Sequence, residues 1–234
     1  MKKRLLLPLI IGALPLASFA QNAAHTLSGG LSTGYESLHI FRGVDSAADE
    51  SIVWTSGTLT MDSASSIGFW YGTGPNSVYE ELDLVGSQRF AFDWADLTLG
   101  VVWYHFPDDF ADDSVDFSVT LSRDYTLESG LVLTPALAVV YNESAEGFYV
   151  QGGITATQPL TERLQIVAQG WVAGSSSYRQ DDGLDNATLL VSAPFQLTES
   201  ASLSPFIGAS AALDAIDDTS DDELWGGVTL NVQF

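Results

Sequence analysis

The sequence predicts an all-β fold, a transmembrane antiparallel up-and-down β-barrel of about 12 strands. The first observation is a repeating segment of roughly ten residues in which apolar and polar residues alternate before a turn. The second is that the connections alternate between short turns and generally longer, mostly acidic loops. The third is that no apolar run after residue 20 approaches the ~20 residues that a membrane-spanning helix needs.

The N-terminus predicts a signal peptide that is removed from the mature protein. Residues 2–4 are basic, residues 5–16 are mostly apolar, and Ser18-Phe19-Ala20 has the small-x-small pattern of a cleavage site. The apolar run is shorter than a spanning helix, which argues against an N-terminal anchor. We therefore expect a signal peptide over 1–20, a single β-barrel domain over 21–234, and localisation in a bacterial outer membrane.

Alternation is clearest in the last predicted strand. Leu224, Val228 and Leu230 fall on one face of that strand, and Thr229 and Asn231 fall on the other, because side chains of a strand repeat with a period of two. An even number of strands places both termini on the same side of the membrane. The predicted strands are 26–42, 51–62, 64–73, 78–90, 94–106, 114–124, 130–142, 146–158, 162–174, 184–198, 200–212 and 222–234.

The main alternative is a soluble β-sandwich or lipocalin-like barrel, in which the apolar face points inward. The membrane barrel is favoured because the opposite face is rich in Ser, Thr, Gly, Gln and Asn, as suits a wet lumen. Aromatic residues also gather near predicted strand ends, where membrane-interface girdles lie. These aromatic residues are Phe69, Trp70, Tyr71, Trp103, Tyr104, Phe106, Trp171 and Trp225.

Composition excludes several classes of partner. After the basic residues of the signal peptide are removed, five arginines and no lysine face 30 acidic residues, so we expect no nucleic-acid binding. No Walker A loop, GxGxxG fingerprint or Cys/His zinc pattern occurs, and we infer no cofactor. The absence of cysteine is compatible with an exported barrel, which satisfies its backbone internally.

A family resemblance rests on short motifs. The terminal Phe234 after an alternating strand resembles the signal by which the barrel-assembly machinery recognises outer-membrane proteins. The Phe41-Arg42-Gly43 stretch is similar to the "FRG" stretch of the TorF family of porin-like outer-membrane proteins. The segments Glu81-Leu82-Asp83-Leu84 and Trp103-Tyr104-His105-Phe106-Pro107 are similar to further patterns of that family. The resemblance implies export, an outer-membrane barrel surrounded by outer-membrane lipid, and a porin role.

Acidic residues cluster in the predicted extracellular loops. Asp108, Asp109, Asp112 and Asp113 form one cluster, and two more occupy the loops around residues 181–185 and 217–223. Such clusters could concentrate cations at a pore mouth, bind Ca²⁺ through carboxylate oxygens, or serve only the solubility of the loops. The spacing of an EF-hand loop does not occur, and the three interpretations stay open.

Charged residues are also predicted inside the barrel. If Leu82 and Leu84 face lipid, then Glu81, Asp83 and Arg89 face inward. Arg42 would lie near the extracellular mouth, sharing the lumen face with Glu36, and would contact Glu81 or Asp83. Such residues either tune the selectivity of a channel or brace a closed barrel.

A hydrolase site is the third hypothesis for the charged residues. His39 and His105 lie near predicted extracellular strand ends, and His105 is close in sequence to Asp108 and Asp109, a pair that could activate water. Alternation argues against it, because His105 is in phase with the lipid-facing residues and His39 is opposite in phase to the predicted lumen residues. Neither a GxSxG elbow nor an HExxH motif occurs. We expect no enzymatic activity.

The sequence therefore favours a porin-like channel for the passive passage of small solutes, with acidic mouths that bias it toward cations or neutral solutes. The alternatives are a structural or adhesive barrel with a closed lumen and, less favoured, an outer-membrane hydrolase. About 12 strands lie between the small barrels that side chains fill and the 16–18-stranded aqueous porins, so strand number does not choose between an open and a closed lumen.

Overall fold

The computed structural model describes residues 26–75, 79–107 and 111–234. The predicted signal peptide over 1–20 lies outside the described residues, and so do Asp108 and Asp109. No helix within the described ranges is long and apolar enough to cross a membrane.

Twelve long antiparallel strands form a closed barrel, as the sequence predicted. These strands are β1 (Leu27–Glu36), β4 (Ile52–Met61), β5 (Ser65–Thr73), β6 (Glu80–Ala91), β7 (Asp96–His105), β8 (Ser114–Ser122), β10 (Val132–Asn142), β11 (Gly147–Pro159), β12 (Gln165–Ser176), β13 (Gly183–Ser192), β15 (Ala201–Ala212) and β16 (Glu223–Gln233). Strand β1 pairs with β4 on one side and with the last strand, β16, on the other, where Gly30 lies opposite Gln233. Each of these twelve strands therefore has two neighbours, which closes the sheet on itself.

Four short strands add to the barrel in the part of the chain that the structure describes. β9 (Tyr125–Thr126) continues the line of β8 and pairs with β10, and β14 (Phe195–Gln196) continues the line of β13 and pairs with β15. β2 (Ile40–Phe41) and β3 (Val44–Asp45) pair only with each other, in a separate two-stranded sheet. This small hairpin lies between β1 and β4 in the chain.

The apolar faces of the strands point outward, which confirms the predicted orientation. Leu84 and Ile207 are 47% and 56% exposed on the outside of the barrel. Side chains of opposite phase, such as Asp116 and Ser210, are buried toward the inside. Because a soluble barrel would reverse this arrangement, the wall is built for an apolar surrounding.

The two ends of the barrel differ in the length of their connections. At one end, which we call the short-turn end, the strands are joined by residues 62–64, 92–95, 127–131, 160–164 and 197–200. At the other, which we call the loop end, they are joined by residues 37–51, 74–79, 106–113, 143–146, 177–182 and 213–222. The predicted alternation of short and generally longer connections is confirmed.

The predicted first strand over 26–42 is wrong at its end. Strand β1 stops at Glu36, and the chain then folds back as the β2–β3 hairpin. Arg42 and Gly43 have φ values of 51° and 82°, the left-handed backbone that reverses a chain in two residues. Residues 37–41 contain no glycine or proline to end a strand, and the sequence did not predict the turn at Arg42-Gly43.

The predicted aromatic girdle is also partly wrong. Trp70, Tyr104, Trp171 and Trp225 lie on the lumen face of their strands, because they share the phase of polar lumen residues rather than that of the apolar outer row. Phe69 and Trp103 do lie on the outer face. At the short-turn end, exposed Phe92 and Trp94 stack with ring centroids 6.1 Å apart and occupy the girdle position there.

Candidate functional site

The β2–β3 hairpin projects into the barrel and is built around a two-residue turn. Glycine is required at its tip, since a Cβ on Gly43 would lie 2.5 Å from the Cβ of Asn186. The positive φ of Gly43 also disfavours any residue with a side chain. The tip of the hairpin therefore touches strand β13, which is four strand positions around the barrel from β4, where the hairpin loop ends.

The base of the hairpin is held on the β4–β6 side. Ala47 packs with Ile52 and Tyr79 in a buried cluster, against which Trp54 and Trp70 also pack. The Asp45 carboxylate accepts a hydrogen bond from the backbone N–H of Ala47 at 3.0 Å and a further one from the N–H of Asp49. Burial raises the pKa of Tyr79, which remains a hydroxyl donor.

Arg42 anchors the tip on the opposite wall. Its Nη2 donates to Asp116 Oδ2 on β8 at 2.6 Å, and its Nη1 donates to the Tyr178 hydroxyl at 2.8 Å. The guanidinium also lies over the rings of Phe41 and Tyr149, at 4.7 and 4.9 Å from their centroids. Burial lowers the pKa of Arg42, but nearby Tyr178 and Asp116 outweigh it and raise that pKa, so the side chain stays charged.

Asp116 is buried, and its carboxylate is hydrogen-bonded on both oxygens. Its side chain is 2% exposed, and it accepts further hydrogen bonds from the Tyr104 hydroxyl at 2.9 Å and from Asn142 Nδ2 at 2.8 Å. Three donors from three elements therefore satisfy both carboxylate oxygens. Because a buried charge is costly unless it is paired and hydrogen-bonded, the arrangement fixes Arg42 in one position.

A second ion pair supports the tip from the neighbouring loop. Arg179 Nη2 donates to the backbone oxygen of Arg42 at 2.9 Å, and its Nε donates to Asp185 Oδ2 at 3.0 Å. The buried Asn186 links Asp185 to the Tyr149 hydroxyl through two hydrogen bonds of 3.0 Å. The hairpin is thus fastened to strands β8, β11 and β13 and to the loop after β12.

Space remains inside the barrel on both sides of the hairpin. An inner cavity of about 380 Å³ lies among the lumen faces of β12–β16 and is lined by Arg42, Gly43 and Glu36 among others. An outer cavity of about 300 Å³ lies toward the loop end and is lined by Arg42, Tyr79 and Glu81 among others. Arg42 borders both cavities, so the hairpin is the partition between them.

Glu81, Asp83 and Arg89, which the sequence placed on the lumen face, share a strand phase opposite to that of exposed Leu84. Glu81 is buried and accepts a hydrogen bond from the Tyr79 hydroxyl. Asp83 Oδ1 is buried and has no hydrogen-bond partner among the described residues. Arg89 lies far from the hairpin at the short-turn end, where its Nη2 pairs with Asp96 at 2.6 Å. The Arg89 side chain is 46% exposed, so this pair contributes little to stability.

The predicted contact of Arg42 with Glu81 or Asp83 is wrong, because the partner is Asp116. Nor does Arg42 lie at the end of a strand beside Glu36. The prediction followed from extending β1 through Arg42, whereas the turn at Gly43 carries the guanidinium across the lumen to β8. Asp116 could have been noticed as an acid in the polar phase of its strand. The loop residues Tyr178 and Arg179 gave no signal in the sequence.

Asp112 and Asp113 are exposed at the loop end. Asp113 lies 2.9 Å from Nδ1 of His105, which stacks on Trp103 on the outer face, as the phase of the strand predicted. His39 differs from its prediction. It lies on the lumen side, in the loop between β1 and β2, with its Nδ1 3.4 Å from Glu36 Oε1 and its ring stacked on Trp70. The two histidines are therefore on opposite faces of the wall and do not share a site.

The acidic loops contain no preformed metal centre in the part of the chain that the structure describes. Within these ranges, no three His, Cys, Asp or Glu side chains converge closely enough to hold a metal ion. The Ca²⁺ interpretation of the acidic loops therefore gains no support from the described residues.

No protein-family model matches the chain, and neither does any curated protein. Several solved outer-membrane barrels are similar to it in fold. The KdgM porin has a TM-score of 0.56 at 9% identity, over 88% of this chain and 98% of that one. The COG4313 outer membrane channel from Pseudomonas putida F1 has a TM-score of 0.55 at 10% identity, over 93% and 98%.

Two further porin structures are also similar in fold. The NanC porin has a TM-score of 0.55 at 10% identity, over 88% of this chain and 98% of that one. The KdgM porin in complex with disordered oligogalacturonate has a TM-score of 0.53 at 8% identity, over the same shares. At these identities the likeness establishes the fold: a closed 12-stranded antiparallel barrel of the outer-membrane porin type.

Proposed function

We propose that this protein is an outer-membrane channel for the passive passage of small solutes, and that the Arg42 hairpin is its constriction. One observation carries the proposal: Arg42 borders cavities of about 300 and 380 Å³ on its two sides. A barrel closed for a purely structural role would fill this volume with side chains. Here the docked hairpin lies between two cavities, so its position controls passage from one to the other.

Location in a bacterial outer membrane follows as part of the same proposal. The alternating wall needs an apolar surrounding, and residues 1–20 have the pattern of a cleaved signal peptide. The backbone of Phe234 pairs with Gly29 through hydrogen bonds of 2.8 and 2.9 Å, while its side chain is 68% exposed. An exposed terminal ring is available to the barrel-assembly machinery. The loop end then faces the exterior and the short-turn end the periplasm.

The resemblance to the TorF family also bears on the constriction. Its "FRG" stretch corresponds here to Phe41, Arg42 and Gly43, which are the tip of the hairpin. Phe41 stacks edge-on against Tyr104 at 5.7 Å, Arg42 binds Asp116, and Gly43 allows the contact with Asn186. Each residue of the motif thus has a separate role in docking the hairpin, which gives a physical reason for a family to share it.

We further propose that the channel prefers cations to anions. Arg42 and Arg179 are each compensated by a buried aspartate, Asp116 and Asp185. Glu81 and Asp83 face the lumen beside them without an arginine partner among the described residues. The exposed acidic loops add negative charge at the mouth. A cleft in which acidic groups outnumber basic groups concentrates cations.

The oligogalacturonate of the KdgM complex is a carboxylate-bearing sugar chain, and its passage would favour a row of free basic groups. The described lumen offers no such row, because Arg42, Arg89 and Arg179 are each paired with an aspartate. We therefore do not extend that substrate to this protein. A hydrolase role is also disfavoured, since the His105–Asp113 pair lies on the outer face of the wall, away from the lumen.

Purified full-length mature protein in planar lipid bilayers tests both parts of the proposal. We expect discrete current steps in KCl, and under a KCl gradient a reversal potential of the sign that marks cation preference. A folded sample that stays silent across salts and voltages would reject the channel. Current steps with a reversal potential at zero or of the opposite sign would retain the channel and reject the cation preference.

A further inference from the structure

The inner cavity has an unusual wall on strands β15 and β16. Phe206 lies opposite Gly227 in the strand register, and Gly208 lies opposite Trp225. A Cβ on Gly227 would lie 2.6 Å from the Phe206 ring, and a Cβ on Gly208 would lie 2.4 Å from the Trp225 ring. Each ring therefore rests on the glycine of the neighbouring strand. Both aromatic residues line the inner cavity, so two rings lie side by side on its wall.

Uncharged hydrogen-bonding groups surround these rings. Ser192, Ser204 and Thr229 line the same cavity, and their hydroxyls make no side-chain hydrogen bond to another described residue. Asn231 Oδ1 accepts from Ser32 at 2.8 Å, which leaves the Asn231 amide nitrogen free to donate. Two flat apolar rings are thus bordered by three hydroxyls and one amide that face the cavity.

The charged groups at the cavity are few and do not favour an anion. Arg42 is engaged by Asp116 and Tyr178, so its charge is already compensated. Glu36 is the acid at the upper rim, 3.4 Å from His39, and its carboxylate can accept hydrogen bonds from hydroxyl groups. The lining is otherwise neutral, with aromatic, aliphatic and hydroxyl side chains.

We propose that the inner cavity binds a neutral mono- or disaccharide on its way through the channel; this inference rests on the proposed function and names its substrate class. A pyranose ring has an apolar C–H face, which packs on an aromatic ring, and hydroxyls at its edge, which need several hydrogen-bonding partners. Phe206 and Trp225 supply the packing surface, while Ser204, Thr229 and Asn231 supply the partners. The volume of about 380 Å³ is within the ~300–1,000 Å³ of small-molecule sites.

An organic cation is the competing ligand, because aromatic rings and one carboxylate also attract a quaternary ammonium group. The distribution of polar groups favours the saccharide. An organic cation would use the rings and Glu36 but would leave the hydroxyls of Ser204 and Thr229 without a partner. A saccharide uses the rings, the hydroxyls and the carboxylate together.

Saturation-transfer NMR on the detergent-purified mature protein measures binding without requiring conduction. Glucose, sucrose and choline are the probes. We expect saturable transfer to glucose or sucrose, competition between the two sugars, and none of comparable strength to choline. Phe206→Leu and Trp225→Leu should each weaken sugar binding at least about tenfold, equivalent to ~1.4 kcal/mol. Phe117→Leu makes the same exchange on the outer wall and should leave binding unchanged.

Ser204→Ala is the second type of variant, because it removes one hydrogen-bonding group with little risk to the barrel. It should weaken sugar binding severalfold, and circular dichroism should confirm β structure for every variant. Absence of sugar binding, stronger binding of choline, or sugar binding unaffected by folded Phe206→Leu and Ser204→Ala proteins would each overturn the inference. Current steps without sugar binding would reject the saccharide site and retain the proposed channel function. Sugar binding by a barrel that gives no current would reject the channel function and retain the binding site.

Discussion

Arg42 Nη2 lies 2.6 Å from Asp116 Oδ2 and thereby joins a hairpin that starts after β1 to strand β8 across the lumen. The two residues are 74 positions apart in the chain. Tyr104, Asn142 and Tyr178 complete the hydrogen bonding of this pair. The pair therefore determines whether the hairpin stays across the lumen or moves aside.

Replacing Arg42 by alanine should release the tip of the hairpin. Removing one partner of a buried ion pair leaves an uncompensated charge and typically costs about 3–5 kcal/mol. We expect a larger and noisier single-channel conductance and a stronger preference for cations, because Asp116 becomes free. Arg89→Ala is the matched control, since the exposed Arg89–Asp96 pair contributes roughly 0–1 kcal/mol. If the two variants have equal conductance, Arg42 does not form the constriction.

Gly43→Ala tests the contact between the hairpin tip and β13. The new Cβ would lie 2.5 Å from Asn186, so the tip must move away from the wall. We expect altered single-channel conductance. Gly130→Ala is a close control, because Gly130 has a similar φ of 81° but a Cβ added there would meet nothing within 4 Å. If both substitutions change the current alike, backbone strain rather than the tip contact is responsible.

The acidic loop after β7 should contribute to ion preference. Changing Asp108, Asp109, Asp112 and Asp113 to Asn removes four negative charges from the segment that joins β7 to β8. We expect the reversal potential in a KCl gradient to move toward zero without reaching it, because Glu81 and Asp83 remain in the lumen. An unchanged potential would exclude these loop residues from selectivity.

Adjacent positions of β8 test which face of the wall meets lipid. Val119 is 45% exposed on the outer face, while Thr120 has the phase of the lumen. Val119→Arg should lower the free energy of unfolding in lipid vesicles by about 2–4 kcal/mol if the site is near the bilayer midplane. Thr120→Arg should cost much less. If denaturant titrations show a larger loss of unfolding free energy for Thr120→Arg than for Val119→Arg, the lipid and lumen faces of β8 are assigned the wrong way round.

The period of two in the strands was sufficient to predict the barrel. Successive side chains face lipid and lumen in turn, and the sequence alternates between apolar and polar residues for that reason. It also placed Glu81 and Asp83 on the correct face. The hairpin was missed because the chain leaves the strand after Glu36 without a glycine or proline to mark the bend, and the backbone angles of Arg42 and Gly43 then reverse it. The pairing of Arg42 with Asp116 depends on the closure of the whole barrel, which no local pattern contains.

The lumen tryptophans illustrate a second limit of the pattern. Trp70 and Trp225 were expected at the membrane interface because tryptophan is common there. In the structure each packs over a glycine of the wall, Gly72 and Gly208. Their phase in the strand gave the correct side, and residue type alone gave the wrong one.

The absence of native cysteine allows a direct test of the central claim, that Arg42 holds the hairpin across the conduction path. Single-channel current of an Arg42→Cys protein is recorded before and after a small membrane-impermeant thiol reagent. We expect a cationic ethylammonium reagent to restore a positive charge beside Asp116 and return the current and ion preference toward those of the native protein. An anionic ethylsulfonate reagent should not. A cysteine variant with native current that neither reagent alters would contradict the account.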